Sequence, residues 1–146
     1  MAAFAPSKIN CSKDAYNVLL GNWNGSQIEL LEQFKVMLLN RANKVLGLFE
    51  VSTGGVSRTV ADPKIILTAA LKGGASGIIV AHNHPSGNLT ASQSDIDLTR
   101  KLKEAGKFLE IQLLDHVIVT TEGYFSFADE GLIYASLFFG KRFNRF

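Results

Sequence analysis

The sequence contains one cysteine, Cys11, among its 146 residues, so no disulfide can close within it. None is needed, because a chain of this length buries roughly two thirds of its unfolded surface on folding. A lone thiol suits a reducing compartment, and the expected location is cytoplasmic. No stretch reaches the ~18 uninterrupted apolar residues of a membrane helix. Met1–Asn10 lacks the apolar core of a secretory signal, so no membrane association is expected. Charge of one sign is also scarce. The net charge is +2, and the last six residues supply the excess with Lys141, Arg142 and Arg145 and no acid. The remainder carries 12 basic groups against 13 acidic, which argues against a broad nucleic-acid surface. Neither Gly54-Gly55 nor Gly73-Gly74 stands in a phosphate-loop pattern, and nucleotide binding is not indicated. There is no internal repeat and no low-complexity segment. At 47% hydrophobic and 19% charged, the chain reads as one globular domain.

Periodicity gives the element order. Ser12 is a candidate N-cap for a short helix with Asp14 in its first turn and Ala15, Val18 and Leu19 facing inward. Glu32–Leu39 alternates, placing Glu32, Phe34, Val36 and Leu38 on one strand face. The turn Asn40–Asn43 leads to a second strand over Val45–Ser52, making a hairpin. Asp62-Pro63 starts a helix that stops at Gly73-Gly74. Ser76–Ala81 is a short apolar run of the kind buried on both faces of a sheet. A helix begins near Ser92 and ends at Gly106, strands follow at Ile111–Thr120 and Tyr124–Phe127, and a last helix is expected over Asp129–Phe139. This order predicts an α/β (α+β) domain, a mixed sheet flanked by helices. Residues 1–29 form a short helical extension, 30–140 the main domain, and 141–146 a basic, aromatic tail.

Chemistry concentrates in Ala81–Asp95. His82 and His84 stand two apart at the end of the buried strand, so both imidazoles project to one side. Pro85 ends the ladder, Ser86-Gly87-Asn88 turns the chain, and Asp95 falls in the first turn of the next helix. Two imidazoles and one carboxylate make a catalytic zinc set, with a fourth position left for water. Asp97 is near enough in sequence to compete with Asp95, but residues two apart on a helix differ by about 200° and face opposite ways. Asp115-His116 lies on a strand, where alternation lets at most one of the pair orient a ligand imidazole. A structural hydrogen-bonding pair is the plainer reading.

His82-Asn-His84-Pro85, Ser92 and Asp95 match the spacing of the JAMM (MPN+) pattern at every fixed position. Together with His-Asn-His-Pro-Ser-Gly, Leu113-Leu-Asp-His116 and Ser126-Phe-Ala128, the chain resembles the RadC-like, UPF0758-type branch over roughly Leu30–Tyr134. The resemblance implies a cytidine-deaminase-like JAB/MPN architecture with one zinc ion on His82, His84 and Asp95. It also implies Ser92 at the oxyanion and an upstream glutamate as general base. Glu32, followed closely by Phe34, is similar to that glutamate, with Glu50 and Glu29 as weaker candidates. The activity implied is amide hydrolysis of a peptide or isopeptide. The alternative is an accessory role in DNA repair or recombination with a nucleic-acid or protein partner, for which the tail Lys141–Phe146 is the sole support. RadC-like chains usually begin with a helical domain, and only ~30 residues precede Glu32, so that domain is expected to be missing or much reduced.

Overall fold

The computed structural model describes residues 7–54 and 61–133. Among them are three helices, α1 (Ser12–Gly21), α2 (Pro63–Lys72) and α3 (Gln93–Phe108). Five strands, β1 (Gln33–Leu39), β2 (Val45–Thr53), β3 (Gly77–Asn83), β4 (Gln112–Val119) and β5 (Tyr124–Ser126), form one sheet in the order β2-β1-β3-β4-β5. β3 and β4 run parallel, and the other neighbours are antiparallel. This is the expected mixed-sheet α+β fold, and it is consistent with the JAB/MPN architecture.

The local chemistry explains the borders. Asn40 Oδ1 accepts from the amides of Ala42 and Lys44 at 2.9 Å, and Asn43 takes φ 62°, closing the β1–β2 hairpin. Asp62 caps α2 by accepting from the Lys64 amide at 2.9 Å, with Pro63 at the first helical position. At the end of α3, a Cβ on Gly106 would stand 2.3 Å from the Ile111 carbonyl oxygen. Only glycine lets the chain fold back there, and the Ile111 amide bonds to Gly106 O at 2.7 Å. Every residue of β3 and all of β4 but Gln112 is buried, so the middle of the sheet is covered on both faces. α1 and α3 both pack on β4, and α2 packs on α3. Ala15 and Leu19 of α1 join the same core as Val36, Ile79, Leu102 and Val117.

Two expectations change. The N-cap of α1 is Cys11, not Ser12. The Ser12 hydroxyl is drawn into tertiary bonding, donating to Asp129 Oδ2 at 2.5 Å beside the Tyr124 hydroxyl at 3.1 Å. The helix expected from Asp129 does not start there. Residues 129–133 are turn and bend, with Gly131 at φ 75°, where a right-handed helix cannot continue. The rest of that expected helix, and the basic tail 141–146, lie outside the described residues. No helix among the described residues is long and apolar enough to cross a membrane.

Candidate metal centre

The site forms where β3 ends. His82 pairs in register with Phe34 of β1, and their rings lie parallel at 5.7 Å between centroids. Past Asn83 the chain leaves the sheet through Pro85, and Gly87, at φ 82°, returns its amide to His84 O at 2.9 Å. That turn brings Asn88 O to 2.6 Å from His84 Nδ1. A carbonyl only accepts, so His84 donates from Nδ1 and its neutral ring keeps the lone pair on Nε2. α3 then opens with a reciprocal cap. Ser92 Oγ accepts from the Asp95 amide at 3.1 Å, and Asp95 Oδ2 accepts from the Ser92 amide at 3.0 Å. The cap fixes the carboxylate at the helix N-terminus, where the dipole favours negative charge.

His82 Nε2 and His84 Nε2 are 3.0 Å apart, Asp95 Oδ2 is 3.5 Å from His82 Nε2, and one ligand atom from each residue lies within 4.8 Å of the others. Tetrahedral zinc ligands bonded at ~2.0–2.1 Å stand about 3.3 Å apart, which the two shorter separations bracket. These three side chains can therefore hold one metal ion. Burial, and then the neighbouring His82, push the His84 ring below its ordinary pKa of 6.5. Burial alone would raise the Asp95 carboxyl, but the adjoining His82 side chain and hydrogen bonds with Ser92 outweigh it and hold the group well below the usual carboxylate range. Near neutral pH, then, His84 is a neutral donor and Asp95 an anionic one.

Glu32 stands just ahead of β1. The β1–β3 ladder begins at Phe34↔His82, two residues after Glu32. The Glu32 charge raises the proton affinity of His84, so the carboxylate lies within electrostatic reach of the ligands. Asn83 holds this approach in place. Its Oδ1 accepts from the Gln33 amide at 2.7 Å, and its Nδ2 donates to the carbonyls of Ile28 and Leu31 at 2.7 Å. The side chain is fully buried. His82 and Asp95 close the inner side of the site, whereas Glu32, His84 and Ser92 are half-exposed and give it one open side.

The other acids are elsewhere. Asp97 Oδ1 accepts from Gln93 at 3.0 Å and Arg100 at 2.7 Å, outside the cluster. Glu50 pairs in register with Lys35 and accepts from Gln33 and Thr53 on the face of the hairpin opposite Phe34. Glu29 is exposed in the loop before β1. Asp115 and His116 separate as alternation requires. His116 Nε2 is 2.9 Å from His82 Nδ1. Asp115 accepts from the Ser126 hydroxyl at 2.6 Å and from the amides of His116 and Ala128 at 2.8 and 3.0 Å. Burial pushes the Asp115 carboxyl up to about 7 against those three bonds. The reading of Asp115-His116 as a purely structural pair thus fails for His116, which touches a ligand. The sequence reading missed Asn83, Asn88 and Thr99. Asn83 alone carried a signal, an amide wedged between two ligand histidines in a buried strand.

A profile described as the RadC-like JAB domain matches residues 9–132. A UPF0758 protein of Flavobacterium johnsoniae is 41% identical over 128 residues, covering 86% of this chain and 53% of the relative. One from Porphyromonas gingivalis is 47% identical over 103 residues, covering 70% and 45%. A third, from Thermotoga maritima, is 43% identical over 100 residues, covering 68% and 45%. The chain spans about half the length of these curated relatives, and their names state no activity. The matched segment includes His82, His84, Asp95 and the residues that hydrogen-bond to them, and the chain belongs to the RadC-like JAB domain family.

Proposed function

We propose that the protein is a zinc-dependent hydrolase acting on an amide bond of a peptide or isopeptide, in a reducing, cytoplasmic setting. The observation that carries this reading is the convergence of His82, His84 and Asp95, with the Glu32 charge acting on His84. Two neutral imidazoles and one carboxylate suit zinc and leave a coordination position for chemistry. Bound there, zinc would act as a Lewis acid towards the scissile carbonyl and lower the pKa of a water to about 7.

The chain's own groups supply the rest. Glu32 takes the proton of the attacking water and returns it to the leaving amine. Ser92 stands at the helix N-terminus and adds its hydroxyl to the electrostatic support of the oxyanion. Asn83 fixes the backbone on either side of Glu32, so the base does not wander. The open side at Glu32, His84 and Ser92 admits the substrate, and the buried wall at His82 and Asp95 excludes water from behind.

The test is a peptide and isopeptide library screened with zinc-loaded protein, using Glu32→Gln as the blank. Hydrolysis by the wild type that is absent from the blank supports the reading. Equal turnover by both would show that the base lies elsewhere.

A further inference from the structure

His82 can ligate through Nε2 only if that nitrogen carries the lone pair, so its proton must sit on Nδ1. A chain of contacts fixes this choice. His82 Nδ1 is 2.9 Å from His116 Nε2, His116 Nδ1 is 2.7 Å from Thr99 Oγ1, and Thr99 Oγ1 is 2.7 Å from the main-chain carbonyl of Asp95. The direction is set at the far end. A carbonyl oxygen only accepts, so the single hydroxyl proton of Thr99 is committed to Asp95. Towards His116 the hydroxyl then offers lone pairs alone, and His116 must donate from Nδ1. A neutral imidazole has one N–H. His116 therefore accepts at Nε2, and His82 donates from Nδ1. The remaining lone pair of His82, on Nε2, points at His84 and Asp95.

We propose that Thr99 and His116 are positioning residues that lock His82 in its ligating tautomer, with the lock anchored on the backbone of Asp95. The inference rests on the metal-centre reading above. One ligand residue thus acts twice: its carboxylate joins the cluster, and its carbonyl, through two side chains, sets the proton on another ligand. The rings are held in place by packing. His116 stacks on Phe127 at 4.3 Å and 7°, and Phe34 meets His116 edge-on at 5.7 Å. His82, Thr99 and His116 are each no more than 3% exposed, so water does not compete for these bonds.

Two substitutions at Thr99 separate the relay from plain packing. Thr99→Val keeps the shape and deletes the hydroxyl, whereas Thr99→Ser keeps the hydroxyl and deletes a methyl. With the acceptor gone, His116 can move its proton to Nε2 and drive His82 into the tautomer that cannot ligate. Zinc affinity, read by competition with a chromophoric chelator, should fall by roughly 10–100-fold in Thr99→Val, the range for losing an orienting partner. It should stay near wild type in Thr99→Ser. A packing role predicts the reverse order and would overturn the proposal. Long-range proton–nitrogen NMR of wild-type protein gives a readout that needs no variant to fold: His116 should carry its proton on Nδ1. A proton on Nε2 would overturn the relay. Wild-type protein that binds no zinc, yet shows Nδ1–H on His116, would refute the metal centre while leaving the relay in place.

Discussion

Asp115 and His116 are chain neighbours on β4, both fully buried, and they spend their hydrogen bonds differently. Asp115 turns inward on its own surroundings, taking three donors from its own strand, the end of β5 and the turn after it. His116, on the other face, passes its bonds outward, from the backbone of α3 to a ligand atom. A buried polar group with every bond closed locally serves the fold. One with a partner that itself has work to do serves the site. The pair shows that burial alone does not separate structural polar residues from functional ones, and that the direction of the bonds does.

The sharpest break of this comparison is expected on the site side. Glu32→Gln should keep the fold and zinc but lose hydrolysis by roughly 10²–10⁴-fold, the usual contribution of a general base. Loss of zinc in that variant, measured by elemental analysis, would make Glu32 a ligand instead. Asn83 joins both roles. Asn83→Ala strips three bonds from buried main chain and should cost roughly 3 kcal/mol in urea unfolding, with turnover falling further than zinc affinity. Unchanged stability would show that the loop before β1 does not depend on it.

On the structural side, Asp115 sets a pH dependence whose sign follows from its raised pKa. The folded protein holds this proton up to about 7, the unfolded chain only to about 3.9. Its stabilising contribution is therefore complete below pH ~4 and is lost as pH rises towards 7. The loss should be on the order of a few kcal/mol and absent from Asp115→Asn. Urea midpoints of chelator-treated protein across that window would check this, and parallel slopes for the two proteins would contradict it. A smaller effect concerns the ligands. His84 loses its proton below its ordinary 6.5, so this ligand should not limit zinc affinity above pH 6.5 and should weaken it as acid protonates His84. The smallest effect is expected at Asp97. Half-exposed beside Arg100 and outside the ligand cluster, it should leave zinc affinity near wild type when replaced by Asn.

Much of this was legible in the sequence. Alternation from Glu32 to Leu39, Asp62-Pro63 and the apolar run before His82 are local signals, and each became the strand or helix expected. The cluster was legible because its three members sit within 14 residues on a strand end, a tight turn and a helix start. What stayed hidden depends on contacts between distant segments. Thr99 looks like any helical threonine until His116, 17 residues on, meets it across α3 and β4. Ser12 looked like a cap because local rules could not see Asp129, 117 residues away. Gly131 lies within the expected last helix, and its positive φ of 75° is where that expectation fails.

The central claim is that His82, His84 and Asp95 form one zinc site. Untagged protein should contain one zinc per chain by elemental analysis, and His84→Ala should bind zinc at least about tenfold more weakly while keeping the wild-type circular dichroism. A folded His84→Ala protein that retains zinc at undiminished affinity would contradict the account.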